Sequence, residues 1–209
     1  LSQAGRRLAE LHIALAGTTE LPAFAPEPIR IDDIERWTGD MMTRAGSIFD
    51  ALNKRRDRLK EADRPLVDRL LDLRPTLRER LQVLLPRGID GLNIRQHGDF
   101  HLGQMLIVKD DIFITGFEGE PPRPDDERRR KAPAARDVAS LIRSIDYAAT
   151  SAIERARRVV QDDHGRLGAA LDVWRDRATN EFLAAYRETI ALQGLWPSDP
   201  AAAEGLLTF

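Results

Sequence analysis

The chain has 209 residues, of which 42% are hydrophobic and 32% are charged, with a formal net charge of -2 and a pI of about 6.1. This near-neutral balance gives no general attraction to nucleic acid or to anionic membranes, so we expect neither as a partner. The absence of cysteine excludes disulfides and thiolate metal sites and is compatible with the cytoplasm, where we expect the protein to be.

The N-terminal part of the sequence is helical in character. Residues 2–16 carry leucines at helical spacing, and prolines in residues 18–30 predict a loop. Residues 31–61 then form a long charged helical stretch, which a glycine at Gly39 or Gly46 can interrupt. This part of the chain therefore predicts two helices joined by an irregular connection.

A further helical segment begins near Asp63, because Pro65 suits the first turn of a helix. Leucines recur at helical spacing from Leu66 to Leu84, and Pro75 predicts a break within this run. No stretch of the sequence approaches the ~18 consecutive apolar residues that a membrane-spanning helix requires. The composition thus favours a soluble, largely helical globular domain.

The middle of the chain has a different pattern. LNIRQHG is short and strand-like, and two β-prone runs at 104–108 and 112–115 flank Lys109-Asp110-Asp111, which predicts a β-hairpin. The remaining predicted elements are a loop rich in proline and arginine at 121–133 and helices at 135–160 and 166–192. The sequence therefore predicts a mainly α (α+β) fold, in which helices surround a small β-hairpin insert.

The stretch QHGDFHLGQ at 96–104 has the strongest chemical character. Asp99 lies between two histidines, and Gln104 follows it by five residues. In protein kinases, the aspartate that accepts the proton of the acceptor hydroxyl is followed, at the same spacing, by an amide that binds metal. A second carboxylate is expected at the end of a following hairpin, to hold magnesium against the nucleotide phosphates, but Gly116 occupies that position. The spacing predicts a phosphoryl-transfer loop that lacks one metal ligand.

Other interpretations of these residues stay open. The two loop histidines can brace a turn, or a His-x-Asp-x-His arrangement can bind a metal, although Mg²⁺ prefers oxygen and the other histidines, His12 and His164, lie in distant helical segments. Asp99 can cap a turn, and Glu118 can be an ordinary solvated residue. The basic run at 127–131 adjoins acidic residues, which favours a solvated loop over a nucleic-acid site.

The motif His97-Gly98-Asp99-x-His101-x-Gly103-Gln104 resembles the phosphotransferase motif of the aminoglycoside phosphotransferase and choline kinase-like fold. The longer run HGDFHLGQMLIVKDDIFITGFEGEPPRP, with ARDVASLIRSIDYAA at 135–149, resembles maltokinases. Maltokinases convert maltose and ATP to maltose 1-phosphate and often occur fused to trehalose synthase. AELHIALA and AYRETIALQGLWPSDPAA fit the same family, so the resemblance covers nearly the whole chain.

The resemblance implies roles for individual residues. It implies that Asp99 is the catalytic base and that Gln104 binds magnesium. Gly116 stands where the family has a metal-binding aspartate, and Glu118 matches a glutamate beside the site. The residues with an implied structural role are His97, His101, Arg136 and Asp137. Glu118 is also the carboxylate nearest in sequence that could replace the missing ligand. Aromatic rings stack on sugars, so Trp196, near the PSDP turn, is a candidate for the sugar site. The implied cofactors are Mg²⁺ and ATP.

The sequence contains neither GxGxxG nor GxxxxGK, the glycine-rich patterns that cover nucleotide phosphates. We therefore expect residues 1–209 to be the C-terminal, catalytic lobe of a kinase-like phosphotransferase, without the N-terminal nucleotide-binding lobe. The parent reaction would be ATP-dependent phosphorylation of maltose, with little activity expected from this lobe alone. The alternatives are an inactive sugar-binding module and an interaction domain that packs against a trehalose synthase domain.

Overall fold

The computed structural model describes residues 1–17, 19–85, 89–121, 123–159, 164–191 and 193–209. Helices dominate these residues, and two small antiparallel sheets lie among them. This architecture confirms the predicted mainly α class with a β-hairpin insert. Within the described ranges, no helix combines the length and the apolar character needed to cross a membrane.

The α-helices are α1 (Ser2–Leu15), α2 (Ile31–Arg55), α3 (Arg64–Asp72), α4 (Leu77–Leu84), α5 (Asp125–Arg128), α6 (Ala135–Val159), α7 (His164–Ile190) and α8 (Pro200–Thr208). The strands are β1 (Glu27–Pro28), β2 (Leu92–Ile94), β3 (Met105–Val108), β4 (Asp111–Ile114) and β5 (Ala132–Pro133). Position 160, the predicted end of the helix now labelled α6, and position 192, the predicted end of α7, lie outside the described residues.

Of the predicted helix interruptions, the one at Pro75 is present, and those at Gly39 and Gly46 are not. Pro75 lies in a 3-10 turn, Arg74–Thr76, that separates α3 from α4, so the predicted break is confirmed. Helix α2 runs without interruption through Gly39 and Gly46. A glycine inside a helix costs about 1 kcal/mol relative to alanine, which a helix of 25 residues tolerates.

The main core forms where α1 and α6 pack against α7. Gly5 permits close contact between α1 and α7, because a Cβ at this position would lie 2.4 Å from the carbonyl oxygen of Phe182. The largest fully buried side chains of this core include Leu8, Phe100, Leu141, Ile145, Phe182 and Tyr186. Phe100 belongs to the loop that carries Asp99, so burial of its ring anchors the loop to the helical core.

The hairpin of β3 and β4 is fastened to the first helix. Its strands pair from Met105 opposite Ile114 to the turn, where Lys109 has a φ of 56°. Arg7 of α1 donates two hydrogen bonds to the carboxylate of Asp111, of 2.8 Å from Nε and 2.6 Å from Nη2. These bonds hold the pKa of Asp111 well below its usual range. The hairpin therefore has a fixed position relative to α1.

In the other sheet, of order β1-β2-β5, strands β2 and β5 are each followed in the chain by a part of the candidate site. Strand β2 pairs with β5 through Asn93 opposite Pro133 and Ile94 opposite Ala132. The loop that carries Asp99 follows β2, and α6 follows β5. The sheet thus places this loop beside the first turn of α6.

Candidate active site

The buried carboxylate of Asp137 holds the backbone of the loop. Asp137 lies in the first turn of α6 and is 1% exposed. Its Oδ2 accepts a hydrogen bond of 2.8 Å from the N–H of His97, and its Oδ1 accepts one of 2.9 Å from the N–H of Gly98. These two bonds fix the chain immediately before Asp99.

Two distant residues support Asp137 from the other side. Nε2 of His12, on α1, lies 3.1 Å from Oδ2 of Asp137, and Nδ1 of His12 lies 2.8 Å from the hydroxyl of Tyr186 on α7. Burial alone would raise the pKa of Asp137, but the hydrogen bonds from His12 and the two backbone N–H groups outweigh it and lower this pKa. Burial and the charge of Asp137 raise the pKa of Tyr186 well above its usual value. The network therefore favours a charged carboxylate under the loop.

His97 connects the loop to the end of the hairpin. Its Nδ1 accepts a hydrogen bond of 3.2 Å from the N–H of Asp99, so the proton lies on Nε2, which donates a bond of 2.7 Å to the carbonyl oxygen of Thr115. The ring also contacts Phe100 and Phe117, at centroid distances of 5.4 and 5.1 Å. Both ring nitrogens of His97 are thus used in bracing the loop.

The second histidine of the motif also bonds to nearby backbone. Nδ1 of His101 accepts a hydrogen bond of 3.0 Å from the N–H of Gly103, which begins a 3-10 turn at Leu102–Gln104. The N–H of Leu102 donates to Oγ of Ser144 on α6 at 3.1 Å. Among the described residues, no cluster of three or more His, Cys, Asp or Glu side chains is arranged to hold a metal. The geometry of both histidines therefore fits the bracing interpretation.

Positions 104 and 116 lie side by side. The carbonyl oxygen of Gln104 accepts a hydrogen bond of 2.9 Å from the N–H of Thr115, and Gly116 follows with a φ of +78°. A Cβ at Gly116 would lie 2.1 Å from Oε1 of Gln104. The amide of Gln104 therefore occupies the space that an aspartate side chain at position 116 would enter.

Asp99 is half-buried, and hydrogen bonds hold its own N–H and the N–H of the preceding Gly98. In the part of the chain that the structure describes, no hydrogen bond or ion pair engages the carboxylate itself. A held backbone with an unengaged carboxylate suits a proton acceptor, which needs a fixed position and a free oxygen.

Two further predicted residues, Glu118 and Arg136, line cavities outside this loop. Glu118 is exposed and lines a small cavity with Arg95 and Arg128. Arg136 is half-buried, and its nearest carboxylate is that of Glu120, at 4.0 Å. The side chain of Arg136 lines a larger cavity.

Trp196, the residue predicted to stack on a sugar, lies among apolar side chains. It packs edge-on against Tyr186, with ring centroids 5.4 Å apart, and contacts both apolar clusters of the fold. A direct contact with a sugar stays a prediction.

Sequence reasoning missed some of the residues that shape the site. His12 was placed in a distant helix, yet it contacts Asp137; its position on the same buried face of α1 as Leu8 could have indicated a buried partner. Gln96, directly before the motif, is buried, and neither of its side-chain amide atoms has a hydrogen-bond partner in the described structure. Burying an amide without hydrogen bonds costs folding free energy, so the position of Gln96 beside the motif calls for a functional explanation.

Comparisons with known proteins place this geometry in context. No protein-family model matches the chain. The chain is 29% identical over 200 residues to a glucosamine kinase of Streptacidiphilus jiangxiensis, a match that covers 91% of the chain and 38% of that enzyme. It is 40% identical over 53 residues to a glucosamine kinase of Mycolicibacterium smegmatis, covering 25% of the chain and 13% of that enzyme.

Solved structures of glucosamine kinase are also similar to this chain, over almost its entire length. A glucosamine kinase structure aligns with a TM-score of 0.75 and 25% identity over 99% of the chain, and a complex of glucosamine kinase with glucosamine, ADP and inorganic phosphate aligns with a TM-score of 0.68 and 26% identity. The fold is that of a kinase-like phosphotransferase. The chain spans less than half the length of these relatives, 44% and 46% of the two structures.

Proposed function

We propose that these residues form the catalytic lobe of an ATP-dependent sugar kinase, with Asp99 as the catalytic base. The observation that carries this proposal is the geometry of the loop: Asp137 and His97 hold the backbone around Asp99, while its carboxylate stays unengaged. The glucosamine kinase relatives support sugar phosphorylation as the reaction class. In this proposal, residues 1–209 act as the C-terminal lobe, and ATP binds against a separate nucleotide-binding lobe.

The proposed reaction is an in-line transfer. Asp99 accepts the proton of a sugar hydroxyl as the hydroxyl oxygen forms a bond to the γ-phosphorus of ATP, and the bond from that phosphorus to the leaving oxygen of ADP breaks. The loop's main contribution is to position the acceptor, since phosphoryl transfer depends mostly on alignment and on charge stabilisation.

The donor set fits Mg²⁺ only in part. Gln104 offers an amide oxygen of the type that Mg²⁺ accepts, whereas Gly116 offers no side chain, and Glu118 is a nearby carboxylate in the sequence. Mg²⁺ bound with ATP would neutralise charge on the phosphates. Gln104 is the first residue expected to hold it, with Glu118 as a second, proposed ligand.

The acceptor sugar has two candidates. The sequence resemblance favours maltose, whereas the similar proteins named glucosamine kinase favour glucosamine. Purified protein, expressed as its gene encodes it, would be incubated with ATP, Mg²⁺ and one sugar, and the products followed by phosphorus NMR. A new sugar phosphate signal with maltose, glucosamine or glucose supports the proposal and identifies the acceptor; ATP hydrolysis or no reaction with every sugar contradicts it.

The missing carboxylate at Gly116 favours one alternative, a sugar-binding module without turnover. Calorimetry with the same sugars separates the two functions. Sugar binding without a sugar phosphate product indicates the inactive module. An interaction domain for trehalose synthase would bind none of these sugars.

A further inference from the structure

A cavity of about 480 Å³ opens between α2, the first turns of α6 and α8. Its lining combines four arginines and one carboxylate, Asp40, with apolar and aromatic side chains; those used below are Arg44, Arg123, Arg136, Arg143, Trp37 and Leu207.

The four arginines of this cavity outnumber its single lining carboxylate, Asp40, so its positive charge is only partly compensated. Arg123 bonds to Glu120, and Arg44 lies 3.7 Å from Glu127. Arg136 has only the distant Glu120 at 4.0 Å, and, among the described residues, Arg143 has no carboxylate within ion-pair distance. Guanidinium groups in this state attract an anion.

The environment of Arg136 supports the same conclusion. Burial lowers the pKa of Arg136, and the neighbouring charge of Arg123 lowers it further. A lowered pKa means that the surroundings disfavour the cation. Because an anion in the cavity would reverse this effect, the cavity is electrostatically suited to a negatively charged ligand.

This cavity is separate from the loop that carries Asp99. Arg136, Ala139 and Arg143 lie three and four residues apart, so they share one face of α6. Asp137 and Ser144, which contact the loop, lie on the adjoining face of the same helix and are not among the residues that line the cavity. A ligand in the cavity would therefore bind beside the proposed active site, on a surface of its own.

We propose that this cavity binds a small phosphate monoester. Guanidinium groups form bidentate, charge-assisted hydrogen bonds with phosphate oxygens, and Arg136 and Arg143 have donors available for them. Trp37 and Leu207 provide apolar surface for the organic part of the ester. That surface distinguishes an ester from inorganic phosphate, which would use the arginines alone.

Calorimetry at constant ionic strength tests this proposal with glucose 6-phosphate, inorganic phosphate and glucose as probes. We expect glucose 6-phosphate to bind at least ten-fold more tightly than inorganic phosphate, and glucose not to bind at this site. Arg136→Gln and Arg143→Gln should each weaken binding of the ester by ten-fold or more. Arg143 is exposed and without an ion-pair partner among the described residues, so its substitution keeps the fold testable if Arg136→Gln unfolds the protein.

Two controls separate the cavity from other sites. Arg177→Gln removes an exposed arginine that pairs with Glu181 and lies outside the cavity lining, so it should leave the affinity unchanged. Asp99→Asn should also leave it unchanged, because the ester does not bind at the loop. Equal affinity for ester and inorganic phosphate, equal loss in Arg177→Gln, or no loss in Arg143→Gln would each overturn the proposal.

Discussion

The two sides of the loop around Asp99 are built differently. On the side of α6, Asp137 is buried and accepts three hydrogen bonds, from two backbone N–H groups and from His12. On the side of the hairpin, Gln104 lies beside a glycine at position 116, where a carboxylate is expected. The side of α6 thus has a buried carboxylate with three hydrogen bonds, whereas the side of the hairpin has the amide of Gln104 and no side chain at position 116.

This difference separates two requirements of phosphoryl transfer. Positioning depends on backbone and buried polar contacts, which stabilise the fold as well as the loop. Metal binding depends on oxygen ligands at the surface, which can change without loss of the fold. A kinase-like chain can therefore keep a well-ordered catalytic loop while its capacity for turnover varies, and the following predictions test the two sides separately.

The largest effect is expected from Asp137→Asn. An amide nitrogen cannot accept a hydrogen bond, so at least one partner among His12 and the two N–H groups is left unpaired in a buried place. Loss of a buried charged partner should lower the free energy of unfolding by about 3–5 kcal/mol, measured by urea denaturation. Asp172→Asn, at an exposed ion pair with Arg175, is the control and should cost little. Similar losses in both variants would mean that the network does not stabilise the loop.

The same network predicts a pH dependence of stability. The pKa of Asp137 is lowered in the folded protein, so its contribution is fully present above the unfolded carboxyl pKa of about 3.9 and is lost as pH falls through the lower folded value. The difference in unfolding free energy between the unmodified protein and Asp137→Asn should thus be constant above about pH 5 and shrink below about pH 4. A difference that grows with acidification would contradict the assigned direction.

On the hairpin side, Gly116→Asp should raise the rate of sugar phosphorylation by about three-fold to 10²-fold. One charge-stabilising contact is worth about 2.7–4 kcal/mol, and the φ of +78° and the necessary rotation of Gln104 would consume about 1–2 kcal/mol of it. Aspartate is among the residues that tolerate a positive φ best.

The control for this variant is Gly116→Ala, which places the same Cβ against Gln104, with at least as much backbone strain, but adds no oxygen. Rates with saturating ATP and magnesium would be compared for all three proteins. A gain in Gly116→Ala equal to that in Gly116→Asp would exclude metal binding as the cause. If aspartate and glycine give equal rates, another ligand already serves, and Glu118→Gln becomes the variant to measure.

The smallest effect is expected from Tyr186→Phe. This change removes the hydroxyl that bonds to Nδ1 of His12 and leaves the ring packing intact. We expect a loss of about 0.5–1.5 kcal/mol in unfolding free energy. Tyr147→Phe, at a residue that is 73% exposed, is the matched control and should have no measurable effect. A loss as large for Tyr147 would show that the hydroxyl of Tyr186 has no special role.

Local patterns in the sequence predicted the hairpin, the break at Pro75 and the proximity of Gln104 to position 116, because each depends on residues that are near in the chain. The contact between His12 and Asp137 joins residues 125 positions apart, and no local pattern encodes such a pairing. The conformation of Gly116 was also beyond prediction, because glycine accepts positive and negative φ equally well. Helix α8 was not predicted, since its apolar sequence has weak periodicity.

The most direct test of the central claim is the turnover of Asp99→Asn beside that of Asp110→Asn. Asp110 is an exposed aspartate of the hairpin turn, so its substitution removes the same charge without affecting the loop. With the acceptor sugar, ATP and magnesium at saturation, kcat for Asp99→Asn should fall by about 10²–10⁴-fold, the usual contribution of a general base, while Asp110→Asn retains full activity. Equal kcat values for the two variants would contradict the assignment of Asp99 as the catalytic base.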